Sequence, residues 1–425
     1  LTGATISTAA GLPSPLATSS GRDRLRLLLL LLVGVSSAFV FMEPSPYEVF
    51  SLFTLTVFAA TGLAVTRAHA PLILLVILYN AGFTLSLIQV FGEPKTNMWV
   101  WVSWYLGLTA IGFALIATRD TARRLNALLT GLTIGAVGAA LCGIAGYFGV
   151  MSELFTLYGR ARGTFNDPNV FGPFLVLPAV LCGLRVLGGG AGALVRNVPI
   201  LAVLLLGLFL SFSRGSWFIF VASAMVAVVL SLLTARSPVA RARISLLTGA
   251  GVVFVVGLVV AALSFDEVGA LFRERATLTQ SYDTGPLGRF GRHILGAQLA
   301  LDHPFGIGPR QFHLLFVEDP HNVYLNAFLS GGWISGLAYA LLVLLTLVFG
   351  FTPVLRRSPW QIAYIAIYST FVGNVALGFV IDSDHWRMFW MLLGLVWGLS
   401  IATRLTPETA MAATRARTSG QAVSG

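Results

Sequence analysis

Three polar segments in an otherwise apolar chain have the residue types for chemistry on an anion. The first is Gly159-Arg160-Ala161-Arg162-Gly163-Thr164-Phe165-Asn166-Asp167-Pro168-Asn169. Its Gly, Asn, Asp and Pro residues predict a tight turn, with Asp167 or Asn169 capping the helix that follows. The second is Ser213-Arg214-Gly215, set between two apolar runs with serines as its polar company. An arginine at a membrane edge costs a few kcal/mol unless it snorkels or meets a counter-charge. The third, residues 265–322, is the longest polar interruption, and it holds Arg273, Arg275, Arg289, Arg292 and Arg310 with His293, His303, His313 and His321. A guanidinium fork binds phosphate oxygens two at a time, so arginine suits a diphosphate better than lysine does. Histidine serves as a general base near neutral pH, and the Glu318-Asp319 pair just before His321 offers a carboxylate to orient it. The bland alternatives are solvated arginines paired with Asp266, Glu267, Glu274 and Asp283, a snorkelling Arg214, and a structural His321 at a helix start.

The elements that position these residues are membrane helices. The chain has 425 residues, 56% hydrophobic and only 10% charged, against about 25% charged in a soluble domain. Apolar runs recur along its whole length, and they do not alternate as barrel strands do. The spacing predicts an all-α polytopic membrane protein of about twelve spans, at roughly 27–42, 49–66, 71–91, 98–118, 125–150, 170–187, 198–212, 216–234, 244–264, 323–350, 360–381 and 388–403. Residues 1–26 read as a disordered N-terminus on the cytoplasmic side, 27–264 as spans one to nine, 265–322 as a catalytic loop with short helices, 323–403 as the last three spans, and 404–425 as a cytoplasmic tail. No cleavable signal is evident, and the first span is expected to direct insertion.

Charge sets the orientation. The net charge is +10, from 26 arginines and one lysine against 17 acids, and 17 of the 27 basic residues fall on the side of the N-terminus, which the positive-inside rule makes cytoplasmic. Of the other ten, Lys95 and Arg387 flank short turns, and the rest are the arginines of the three segments. Arginines kept where the bias disfavours them point to a ligand, and the basic excess needs no nucleic acid to explain it. Cys142 and Cys182 lie in apolar runs and imply neither disulfide nor metal site. No zinc-protease, phosphate-loop, dinucleotide or serine-hydrolase motif is present. The glycines of residues 131–149 suit close helix packing, with no partner indicated.

Taken in order, Arg160-x-x-Gly-Thr-Phe-x-x-Pro-Asn169, Ser213-Arg214-Gly215, Arg289 ahead of Asp302-His303-Pro304-x-Gly306-x-Gly308, and His321-Asn322-x-Tyr324-Leu325 resemble the O-antigen ligase and polysaccharide polymerase family of bacterial inner-membrane glycosyltransferases. The resemblance covers roughly residues 150–340. It implies a GT-C-like arrangement and an active site on the periplasmic face, in the inner membrane of a bacterium. It implies transfer of a glycan from undecaprenyl diphosphate to a hydroxyl of a lipid-anchored sugar, as in lipopolysaccharide assembly. A polymerase of lipid-linked repeats is the alternative, and a transporter of lipid-linked glycan is the reading from another class. Carried across, Arg160, Arg214 and Arg289 would bind the diphosphate, with Arg292 competing with Arg289 for that role. His321 would be the catalytic base, and Arg162, Arg310, His303, Asp319 and Asn322 are further candidate contacts. The sequence departs from the family pattern at His293, where an aromatic is common, and at Arg310, where glycine is common. Single displacement would invert the anomeric centre, and arginines would supply the charge without a metal or other cofactor.

Overall fold

The computed structural model describes residues 21–266, 269, 270, 272, 288–316 and 318–422. Arg273, Arg275, Glu267, Glu274 and Asp283, and the polar stretch 1–20, lie outside the described residues.

A helix overlies each of the twelve sequence-predicted spans. They are α1 (Gly21–Ser36), α2 (Pro46–Thr61), α3 (Ala70–Leu87), α4 (Pro94–Thr118) and α5 (Thr121–Tyr147), then, past the one-turn helix α6 (Ser152–Phe155), α7 (Pro168–Gly188), α8 (Ala191–Leu210), α9 (Arg214–Thr234) and α10 (Pro238–Leu263). The loop contributes α11 (Arg289–Asp302) and the short α12 (Phe312–Phe316), before α13 (Val323–Val354), α14 (Gln361–Leu377) and α15 (Arg387–Ala422). Among the described residues nine helices are long and apolar enough to cross a membrane. The helices α1, α2 and α14 are shorter, at 16, 16 and 17 residues. The only β-structure among the described residues is a two-residue ribbon, Thr156–Leu157 against Arg160–Ala161, with an isolated bridge from Val40 to Phe165. This is an all-α polytopic membrane protein.

Small residues set the helix crossings, because lipid supplies little hydrophobic drive for helix association. Gly131 and Gly135 of α5 face α1, where an added Cβ at Gly131 would sit 2.1 Å from the Leu31 carbonyl oxygen. Gly34 of α1 returns the contact, 2.5 Å from Leu128 O. Gly394 and Gly398 of α15 lie in the same way against Ala110 and Ala114 of α4. The glycine-rich span therefore packs on the first helix.

The helix α13 is broken at Gly332 (φ 69°, ψ −170°), nine residues past Val323, about 14 Å along the helix. Backbone groups freed at such depth need protein partners. The turn Pro304–Ile307 provides them. Ile307 N–H donates to Leu329 O at 2.7 Å, and Trp333 N–H donates to Pro304 O at 2.9 Å. Gly306 has φ 78°, and a Cβ there would lie 2.6 Å from Gly332 N and 2.9 Å from Leu329 O. The indole of Trp333 then donates to Ala300 O at 2.9 Å, which ties the end of α11 to the same break. The Asp-His-Pro-x-Gly-x-Gly stretch is thus a plug that docks the loop helix on the membrane bundle.

These contacts predict that Gly306→Ala and Gly131→Ala each lower the melting temperature of purified protein, at a cost of about 1–3 kcal/mol for overpacking. Gly138→Ala, where a Cβ meets nothing within 4 Å, should leave it unchanged or slightly raised.

Candidate functional site

The three sequence segments converge at one end of the bundle. Phe212, at φ 45°, turns the chain sharply between α8 and α9. Ser213 caps α9 by accepting from Ser216 N–H, which puts Arg214 in the first turn, half-buried. Arg160 reaches this turn from the ribbon: its Nε donates to Ser211 O and its other nitrogen to Asn169 Oδ1, both at 2.8 Å. Asp167 caps α7 through Asn169 N–H at 2.7 Å, which decides between the two capping candidates. Gly215 faces Leu377 at the end of α14, with 3.4 Å between an added Cβ and Leu377 Cδ1. The next carbonyl, Gly378 O, accepts Val323 N–H at 2.9 Å. The start of α9, the end of α14 and the start of α13 therefore meet, and His321 stands beside them.

His321 has φ 52°, a left-handed conformation that costs a non-glycine residue about 1 kcal/mol or more and that recurs at active sites. Its Nδ1 is 3.3 Å from Oδ2 of Asp382, in the loop after α14. Asp382 was not singled out from the sequence. The available signal was a carboxylate-rich turn, Asp382-Ser383-Asp384-His385, on the same predicted face as His321. The neighbouring acids that the sequence offered are engaged otherwise. Asp319 lies 3.6 Å from His313 Nδ1, and Glu318 pairs with Arg292 at 2.8 Å. Burial pushes the Asp382 carboxyl above its ordinary range, while the bond to His321 pulls it down and Asp384 and Asp319 push further up. The other carboxylate oxygen, Oδ1, is buried with no hydrogen-bond partner among the described residues.

The helix α11 presents different residues to different neighbours. Arg289 and His293, four apart, share a face. His293 lies near enough to Arg289, Asp382 and the backbone of Pro320 and His321 for each to act on its ionisation. Burial is the largest effect and lowers its pKa, which keeps the imidazole neutral near pH 7. Its Nε2 is buried and without a hydrogen-bond partner among the described residues. Arg292 is buried elsewhere and spent on Glu318. His293 thus joins the cluster, although sequence reasoning counted it among the loop histidines without a role and as a departure from the family pattern.

The remaining candidates hold structural bonds or are exposed. Arg162 donates to Leu154 O and Glu153 O, both at 3.1 Å, and so closes the end of α6. Asn322 caps α13 through Leu325 N–H at 3.1 Å. His303 Nδ1 lies 3.0 Å from Leu299 O on an exposed helix end. Arg310 is exposed in the turn that follows the plug, at φ 60°. On the same face Arg387 is neutralised by Glu48, with Glu43 3.6 Å away. Among the described residues no group of three or more His, Cys, Asp or Glu side chains could hold a metal ion. The arrangement offers cations for an anionic leaving group, a His–Asp pair for a proton, and a neutral imidazole for a further hydrogen bond.

Residues 199–340 match the family model described as O-antigen ligase. The match takes in Arg214, Arg289, Arg292, His293 and His321, and it leaves out the Arg160 segment and Asp382. No curated protein matches the chain. The family match bears out the motif resemblance and supports a function of the general O-antigen ligase and polymerase type.

The raised carboxyl has a stability consequence of definite sign. Asp382 holds its proton more tightly folded than unfolded, so its burial penalty is absent below the ordinary carboxylate pKa of about 4. The penalty grows as pH rises towards the folded value and is full above it. Asp382→Asn should therefore raise the melting temperature near pH 7, with the gain vanishing at the acid end. The same variant should lower turnover about 10²-fold or more, because the imidazole loses the carboxylate that sets its tautomer. Thermal scans across pH and an activity assay check the pair.

Proposed function

We propose, for a chain whose residues 199–340 carry the O-antigen ligase match, that it transfers a glycan from undecaprenyl diphosphate to a hydroxyl of a lipid-anchored sugar. The site would face the periplasm from the inner membrane of a bacterium, with both chain termini on the cytoplasmic side. The observation that supports this reading is the pairing of His321 with Asp382, at the end of the bundle where α9 and α11 begin with Arg214 and Arg289.

The reaction needs a base and charge stabilisation rather than a nucleophile of the protein, because a lipid diphosphate is already a good leaving group. Asp382 takes the Nδ1–H hydrogen bond and leaves Nε2 of His321 as the basic nitrogen. Nε2 removes the proton of the acceptor hydroxyl as its oxygen bonds to the anomeric carbon. The bond from that carbon to the diphosphate oxygen breaks, and its electron pair leaves with the diphosphate. Arg214 and Arg289 bind the charge that develops there. Arg160 holds the turn that carries Arg214, through Ser211 and Asn169, and Arg292 holds α11 in place through Glu318. His293 Nε2, buried beside Arg289, is placed for a hydrogen bond to donor or acceptor. One displacement inverts the anomeric configuration, and the arginines serve without a metal.

The test is an assay of purified protein with an undecaprenyl-diphosphate glycan, with and without a lipid-anchored sugar acceptor. Acceptor-dependent transfer should fall at least 10²-fold in His321→Ala and Arg214→Ala and be insensitive to chelator. Arg292→Ala should lose thermal stability more than it loses turnover per folded molecule. Longer chains from donor alone would make it a polymerase. Donor binding that survives His321→Ala, with no transfer under any condition, would favour transport. A retained anomeric configuration would contradict single displacement.

A further inference from the structure

At the end of the bundle opposite the candidate site, a half-open cleft of about 190 Å³ lies between the first turns of α5 and α14 and the last turn of α7. Its polar lining residues are Asn126 and Arg185, with the Trp360 indole at its rim. Arg185 is partly buried, and its guanidinium has no hydrogen-bond or ion-pair partner among the described residues. The groups that act on its charge are the Cys182 thiol and a second cation, Arg196. No carboxylate is among them.

The carbonyls of Val186, Gly189 and Arg185 at the end of α7 are engaged. The carbonyls at the end of α7 would normally draw an arginine in the last turn. Arg243 of α10 occupies them instead, donating to Gly189 O and reaching Val186 O at 3.5 Å. The carbonyl of Arg185 itself accepts Gly189 N–H at 3.0 Å. The Trp360 indole is bound to Thr403 Oγ1 at 3.0 Å, so it walls the cleft without competing for the cation. The N-terminus of α14, after Trp360, also enters here without a side-chain cap, whereas the start of α5 carries the Asp120 carboxylate, 3.6 Å from Arg123. The partial positive end of α14 adds to the field of Arg185.

We infer that this cleft binds the phosphate of an anionic group, with Arg185 as its principal ligand and Asn126 and the first turn of α14 as hydrogen-bonding neighbours. An unpaired guanidinium, a second cation acting on it and the uncapped start of α14 put positive charge into a concavity at this end of the bundle. A phospholipid headgroup and free phosphate share the required chemistry. A bound phosphate would tie together one end of α5, α7 and α14, and the far ends of α7 and α14 carry Asn169 and Leu377 next to the candidate site.

The experiment uses full-length protein in detergent and measures binding of phosphatidylglycerol by native mass spectrometry and by thermal stabilisation. Diacylglycerol of the same chains is the control without phosphate. Arg185→Gln should weaken phosphatidylglycerol binding at least tenfold and abolish the stabilisation, and Arg185→Lys should restore part of both. Arg241→Gln, an exposed arginine of the same face, should do neither. If millimolar inorganic phosphate displaces the lipid from wild type and stabilises it alone, the cleft takes free phosphate as well. Equal binding by wild type and Arg185→Gln, or equal binding of diacylglycerol and phosphatidylglycerol, would overturn the assignment.

Discussion

Two backbone hydrogen bonds, Ile307 N–H to Leu329 O and Trp333 N–H to Pro304 O, fix the relation between the loop and the membrane bundle. A helix interrupted about 14 Å from its start leaves backbone groups that lipid cannot satisfy. The glycine turn Pro304–Ile307 satisfies them, and only glycine at 306 approaches closely enough. The consequence is positional. The end of α11 is fastened to α13 through Trp333 and Ala300, and its start carries Arg289 and His293 towards His321. A loop arginine and a loop histidine thereby acquire fixed places relative to Arg214, which belongs to a different helix pair.

The electrostatics follow from that placement. Arginines at this end differ in their surroundings. Arg292 and Arg387 are spent on carboxylates, and Arg162 on backbone carbonyls. Arg160 is buried against Ser211 and Asn169, so its charge reaches the site through the turn it holds. Arg214 and Arg289 stand at helix starts, where the helix ends add positive potential. A buried Asp382 and a neutral His293 sit in the same cluster, so its groups differ in charge and in proton affinity. Such separation lets one residue accept a proton while others hold an anion.

Much of this was legible in the sequence because hydropathy is a local property. A helix lies on each of the twelve apolar runs, nine of them long and apolar enough to span among the described residues, and a short helix, 289–302, lies in the polar loop. The motif arginines and His321 were legible as residue types in polar interruptions of an apolar chain. What stayed hidden was pairing across long sequence distance. The carboxylate for His321 is Asp382 rather than the adjacent Glu318 or Asp319, because a left-handed turn at His321 swings its imidazole towards the loop after α14. The choice between Arg289 and Arg292 depends on helix phase and on Glu318, which no spacing rule supplies. The break at Gly332 reads in sequence as two glycines in an apolar run, and its plug lies on the far side of the short helix α12.

The central claim is that Arg214 and Arg289 hold a lipid diphosphate beside His321. The most direct measurement is an electron cryomicroscopy structure of the protein with a polyprenyl diphosphate. The account predicts diphosphate density between the two guanidinium groups, with the sugar-bearing phosphate on the side of His321 Nε2, and its loss in Arg214→Ala. Diphosphate density elsewhere, or density unchanged in that variant, would contradict it.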